Sequence, residues 1–241
     1  MRDLGIIMSS DCSFKQHISK VISRANSICA WILRTFESRD ATLMLTLYKS
    51  LVIPHLEYCS RLWNPLKRGD IQDLEMVQRN FLRKIEGAHR LSYWDQLRKY
   101  KMYSLERRRE RYSVIYVWKI IENLVPNFSH LEGDGNEKGG ITWYNHIRLG
   151  RKCVTKRVKL GPFQQVRYSS LAVQGPKLFK SLPKNIRNLK NCDIHNFKKM
   201  LDKYLSSIPD EPLLPSYVKF RRADTNSIVD MISIGLSKLD A

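Results

Sequence analysis

The chain has 241 residues, 43% of them hydrophobic, and its 42 Lys or Arg against 23 Asp or Glu give a formal charge of +19. That length allows one or two domains with real cores, and the charge excess makes a polyanion the expected partner. No apolar run approaches the roughly 20 residues needed to span a bilayer, the opening Met1-Arg2-Asp3-Leu4-Gly5 is no signal peptide, and five scattered cysteines without a CxxC argue against a disulfide framework or zinc ribbon. Nucleus or cytoplasm is the expected location, with no membrane partner.

In chain order, Leu4 to Met8 reads as a short strand. A helix follows, opened by a capping box of Ser13 and Gln16, with Phe14, Ile18, Val21, Ile22, Ala25, Ile28, Cys29, Ile32 and Phe36 at helical spacing. Lys15, Lys20, Arg24 and Arg34 lie off that stripe. From Thr42 to Ile53 nearly every position is apolar, so a helix buried on most sides is expected, with Leu47 and Leu51 inside and Pro54 as its stop. Asp70 is the expected cap of a further helix whose inner face is Ile71, Leu74, Val77, Phe81, Leu82 and Ile85, while Arg79, Arg83 and Lys84 face outward and Gly87 ends it. Ser92 with Asp95 opens a short helix to about Tyr100, and Ser104 a longer one to about Leu124 that begins with Arg107, Arg108, Arg109 and Arg111.

Glycines 133, 135, 139 and 140 mark residues 126 to 140 as a linker. Beyond it, residues 138 to 203 hold sixteen Lys or Arg against only Asp193 and Asp202, so this basic region carries most of the net charge. Within it Trp143, Tyr144, Phe163 and Tyr168 are interleaved with Arg148, Arg151, Lys152, Lys156, Arg157 and Arg167, a mixture suited to phosphate contact and base stacking. Alternation around Val154, Val158 and Leu160 predicts short strands, followed by helices near Ser169 to Ser181 and from Asp193 to Leu205. The expected architecture is mainly α: a helical bundle over 1–125 with one short N-terminal strand, the linker 126–140, a smaller basic α+β region over 141–208, and a proline-marked, loosely held tail over 209–241.

No catalytic constellation is present. The sequence has no Walker loop, GxGxxG, GxSxG or HExxH, and no cofactor site is expected. His55 with Cys59 and Cys192 with His195 have half-site spacing for zinc, but isolated pairs are more often packed thiols and surface imidazoles, and a structural zinc wants four ligands.

Two stretches carry a family resemblance. Leu4-Gly5-Ile6-Ile7 through Phe14-Lys15-Gln16-His17-Ile18, then Leu47-Tyr48-Lys49-Ser50-Leu51-Val52 through Pro54-His55-Leu56-Glu57-Tyr58-Cys59 to Trp63-Asn64-Pro65, resembles the region just after the polymerase palm in LINE-like, jockey-type non-LTR retrotransposon reverse transcriptases. Leu178-Phe179-Lys180-Ser181-Leu182-Pro183, Phe197-Lys198, Leu201-Asp202-Lys203-Tyr204-Leu205 and Ile208-Pro209-Asp210-Glu211-Pro212 resemble the C-terminal end of the same polyproteins. The resemblance implies a thumb-like bundle that grips a primer-template duplex, with Lys15, Lys20, Arg24, Arg79 and Arg83 on phosphates and the basic region, including Trp143, on RNA or DNA. The family's polymerase needs a Phe/Tyr-x-Asp-Asp turn for its metal ions, and nothing here matches it. The expectation is therefore a truncated, non-catalytic product that binds nucleic acid. Alternatives are a module that docks on a separately encoded palm through the strand edge at Leu4 to Met8, and a retroelement remnant without function.

Overall fold

A computed structural model describes residues 2–9, 14–65, 67–125, 171–212 and 226–232. These residues are mainly helical, with one small two-stranded sheet at the N-terminus. They form two compact units: residues 2–109 with 210–212 and 226, and residues 110–125 with 171–209 and 227–232. The linker 126–140, the expected strands near Val154 to Leu160, and Trp143, Arg148, Arg151, Lys152, Lys156 and Arg157 lie outside the described residues.

The first unit opens with β1 (Arg2–Asp3) antiparallel to β2 (Ile6–Ile7), pairing Arg2 with Ile7 and Asp3 with Ile6. The single strand expected from Leu4 to Met8 is thus a hairpin. Leu4 and Gly5 both take positive φ, 44° and 84°, the backbone that a two-residue turn of this hand demands. Only Gly5 adopts it without steric cost, and Leu4 is left 81% exposed at the tip.

Helix α1 (Lys15–Thr35) packs its stripe of Ile18, Ala25, Cys29 and Ile32 inward, as the periodicity predicts. Its last turn is closed by Arg39, whose guanidinium donates to the carbonyls of Leu33, at 2.7 Å, and Phe36. Those carbonyls have no partner within the helix, so the cation both satisfies them and complements the helix dipole.

The apolar run from Thr42 departs from the sequence expectation. Helix α2 (Ala41–Leu47), capped by the Asp40 carboxylate on the N–H groups of Thr42 and Leu43, widens into a π turn, π1 (Tyr48–Val52), and continues as α3 (Ile53–Glu57). Pro54 does not stop the helix; it sits in the first turn of α3, where its missing N–H costs nothing. A proline ring would collide with the carbonyl four residues back in a regular α-helix, and the π turn relieves that crowding by bonding Ile53 N–H to Tyr48 five residues back. The wider turn also changes which residues face inward. Met44, Tyr48, Val52 and Leu56, each four apart, are buried, while Leu51 is 36% exposed and Leu47 half-buried. The expectation that Leu47 and Leu51 are both core residues is corrected for that reason.

Helix α4 (Arg68–Leu82) packs on α1 through Leu74, Val77, Phe81 and Leu82, and the Phe81 ring stacks on Tyr48 at 4.8 Å. Asp70 lies inside the first turn rather than at the cap, which is Lys67. Gly87 takes a φ of +70° in the turns that follow. Helix α5 (Tyr93–Lys99) is capped by Ser92 as expected, its hydroxyl accepting from Asp95 N–H at 3.2 Å. Helix α6 (Leu105–Ile121) has Ser104 at its start, whose hydroxyl accepts from Arg107 N–H at 3.1 Å.

A chain of buried polar groups ties these helices together. Tyr48 hydroxyl reaches Gln78 at 3.4 Å, Gln78 donates to the Tyr93 hydroxyl at 3.0 Å and to the Tyr103 carbonyl at 3.1 Å, and Tyr93 donates to Glu75 at 2.5 Å. In the stretch 209–241, which its prolines mark as a loose tail, the described residues carry specific bonds. Asp210 accepts from Ser104 N–H and hydroxyl, both at 2.7 Å, Asn226 donates to Asp210 at 2.6 Å, and Trp94 donates to the Pro212 carbonyl at 3.2 Å.

In the second unit the later part of α6 joins α7 (Leu171–Ser181), α8 (Lys184–Arg187) and α9 (Ile194–Leu205). Its core is Val114, Val117, Trp118, Phe179, Leu182, Phe197 and Leu201, with Trp118 and Phe197 stacked at 4.5 Å and 11°. Asp193 caps α9 by accepting from His195 N–H at 2.7 Å, and Asp202 holds Arg111 through two bonds at 2.5 and 2.7 Å. Gly175 is buried where α7 meets α6.

Candidate functional site

Of the cations expected to face phosphates, Lys15, Lys20 and Arg24 are all exposed on α1, Arg83 is exposed at the end of α4, and Arg79 is half-buried with Nη1 3.6 Å from the Met76 sulfur. Lys20 and Arg24 are one helical turn apart and share a flank. Lys15 does not join them: nine positions at 3.6 residues per turn set it about 180° from Arg24. Arg79 and Arg83 form a second pair, one turn apart on α4.

The flank that carries Lys20 and Arg24 continues with Ser27, Trp31 and Arg34 at alternating steps of three and four, all exposed. Between this flank and the π1–α3 segment runs an open cleft of about 420 Å³, lined by Arg24, Ser27, Ile28, Trp31, Leu51 and His55. The chain is thus bent so that the Leu51 side chain, turned out by the π turn, faces the same hollow as the Trp31 indole. Trp31 is 47% exposed, and its position is braced by the Phe36 ring, which meets it edge to face at 6.3 Å and 87°. Arg39, by closing the end of α1, holds Phe36 in that place. Among the described residues no carboxylate lines the cleft and no ion pair engages Arg24.

Sequence reasoning reached Arg24, missed Trp31, and gave Leu51 to the core and His55 to a zinc half-site with Cys59 instead of to this cleft. A signal for Trp31 was available: the indole falls outside the apolar stripe of α1 and in step with Lys20, Arg24 and Arg34. Leu51 and His55 needed the π turn, which no spacing rule announces.

Other chemistry-bearing residues are spent on the fold. In the arginine run of α6, Arg107 is fully buried with Nη2 3.3 Å from the Asn226 carbonyl, Arg108 forms a two-bond pair with Glu57 at 2.5 and 3.1 Å, and Arg109 is buried. Glu75 is buried, and burial pushes its carboxyl up to about 8 although the Tyr93 hydroxyl bond pulls the other way. Burial likewise pushes the Cys29 thiol up to about 12, leaving it inert as a nucleophile. His17 is buried against Trp63, ring centroids 5.3 Å apart, and accepts from Ile7 N–H at 3.5 Å. Burial, and then the charge of Lys20, hold its imidazole below the usual range, so it carries no charge to a ligand at neutral pH. Among the described residues no three His, Cys, Asp or Glu side chains are grouped to hold a metal ion, and no helix is long and apolar enough to cross a membrane.

Comparison with known proteins adds one relative to this picture. No protein-family model matches the chain, and no solved structure matches it. An uncharacterized protein of Caenorhabditis elegans is similar to it, 23% identical over 206 residues that cover 84% of this chain and 95% of the other.

Proposed function

We propose that this chain is a nucleic-acid-binding module of the thumb type found in non-LTR retrotransposon reverse transcriptases, one that grips RNA or DNA through its backbone and performs no nucleotide transfer itself. The observation that supports it best is the flank of α1: Lys20 and Arg24 exposed one turn apart, beside an uncharged-to-basic cleft, on a chain of net charge +19. Cations so placed gain affinity for phosphates by releasing counterions, a term that depends on salt and not on sequence. The sequence also lacks the paired aspartates that in-line nucleotide transfer by two metals requires. A docking role for the strand edge near Leu4 to Met8 has less in its favour, because each strand of the hairpin is two residues long and offers few ladder groups to a partner sheet.

The test is binding to duplex and single-stranded nucleic acid across a salt series. Log affinity falls linearly with log salt for the parent, and Lys20→Ala with Arg24→Ala flattens the duplex slope by nearly two units, at about 0.9 per lost phosphate contact. Unchanged affinity and slope in the double variant remove the α1 flank from the interface. Primer-template, nucleotides and Mg²⁺ or Mn²⁺ yield no extension; template-dependent product refutes the non-catalytic half of the proposal.

A further inference from the structure

We infer that the cleft beside α1 receives an unpaired nucleobase of a single strand, stacked on the Trp31 indole with the adjoining phosphate at Arg24; this rests on the nucleic-acid proposal above and names the ligand class of that same face. Four observations converge on it. A tryptophan 47% exposed in a concave site offers its ring to a ligand, and its braced, edge-to-face seat on Phe36 means little ordering is needed on binding. The π1–α3 side of the cleft supplies Leu51 and His55, an apolar side chain and an imidazole, to the same hollow as the indole. Among the described residues the lining holds no acid, which complements a phosphodiester, and a flat π-face with a cation beside it is the general platform for bases. The cleft, about 420 Å³ and open to solvent, is of small-ligand size. A stacked duplex presents its bases edge-on and inward, so only a frayed end, a bulge or a single strand can put a base face onto Trp31.

The cations continue beyond the cleft on both sides, Lys20 on one and Arg34 on the other, over about 21 Å of helix at 1.5 Å per residue. A strand laid along this flank therefore keeps phosphate contacts before and after the stacked base. Because every base has a π-face, the site selects single-stranded character and not sequence.

The experiment uses the full chain with three probes at one ionic strength: a short single strand, the duplex of that sequence, and a strand of equal length whose bases are replaced by abasic sites. The parent binds the intact strand about 5- to 150-fold more tightly than the abasic strand, the range that stacking of one base provides. Trp31→Ala brings the intact strand down to the abasic level while duplex and abasic affinities stay with the parent, and Trp31→Phe retains most of the preference. Arg24→Ala weakens all three probes. Equal affinity of the parent for intact and abasic strands, or a Trp31→Ala loss shared by all three probes, overturns the inference and leaves backbone binding standing. A change of oligomeric state in Trp31→Ala with strand binding intact assigns the cleft to a second copy and overturns it as well. Failure of the parent to bind any probe at low salt removes the nucleic-acid proposal itself, a result distinct from the others.

Discussion

The Glu75 carboxylate on α4 accepts from the backbone N–H of Leu105 at 2.9 Å, so the first turn of α6 is capped by a side chain thirty positions upstream. The bond satisfies one of the donors that a helix start leaves over, and it does so in a buried site. The cost is a carboxyl that prefers its proton: burial pushes it up to about 8 from an ordinary 4.5.

A pH dependence follows with a definite sign. Below about 4.5 the group is neutral folded and unfolded; between 4.5 and 8 the unfolded chain releases its proton while the folded chain keeps it, so stability is lost as pH rises through that window. Glu75→Gln keeps an oxygen for Leu105 N–H and has no proton to lose. Urea melts of parent and variant should therefore diverge by on the order of a few kcal/mol between pH 5 and pH 9, with Glu75→Gln the more stable at the alkaline end. Parallel stability curves would mean that Glu75 titrates normally in the fold.

The π turn makes a sharp contrast between neighbours. Val52 is fully buried and Leu51 is at the cleft wall. Val52→Asp should cost several kcal/mol, enough to unfold a marginal domain, because it places a carboxylate in an apolar site. Leu51→Asp should stay within about 1 kcal/mol of the parent, as surface substitutions do. Thermal melts separate the two, and equal losses would place Leu51 in the core.

In the second unit, a Cβ at Gly175 would lie 2.6 Å from Val117 Cγ2 and 3.2 Å from Leu171 Cδ1. Gly175→Ala should destabilise by about 1–3 kcal/mol through overpacking, despite alanine's better helix propensity. Adding Val117→Ala should recover part of that loss, so the double variant is more stable than the sum of the singles predicts. Strict additivity in chemical denaturation would show that the two positions do not meet.

The two flanks of α1 separate the cations expected to bind together. Lys15→Ala should leave single-strand affinity within about twofold of the parent and barely alter its salt slope, while Lys20→Ala and Arg24→Ala should each lower the slope by about 0.7 units. Fluorescence anisotropy at several salt concentrations measures this directly. An equal effect at Lys15 would mean that the strand wraps the helix and is not confined to the cleft side.

Much of the fold is legible in the amino-acid sequence because it depends on periodicity and on local caps. The inward stripe of α1, the Ser92 cap of α5, the Ser104 start of α6 and the Asp193 cap of α9 are each set by residues within a few positions of one another. The basic excess, and Arg24 as an exposed cation, follow from composition and from position off the stripe. What only tertiary structure decides is where a residue's neighbours come from. The splitting of the first strand into a hairpin depends on two positive φ angles, and the outward turn of Leu51 depends on a π turn that relieves crowding before Pro54. The burial of Glu75 and Arg107 is not legible in the sequence, because helical spacing cannot reveal a partner on another helix; they are buried because Leu105, Tyr93 and Asn226 arrive from elsewhere in the chain to meet them. The cleft has the same origin. Trp31 is visible as an aromatic out of step, but the wall that makes its face a site comes from residues twenty and more positions away.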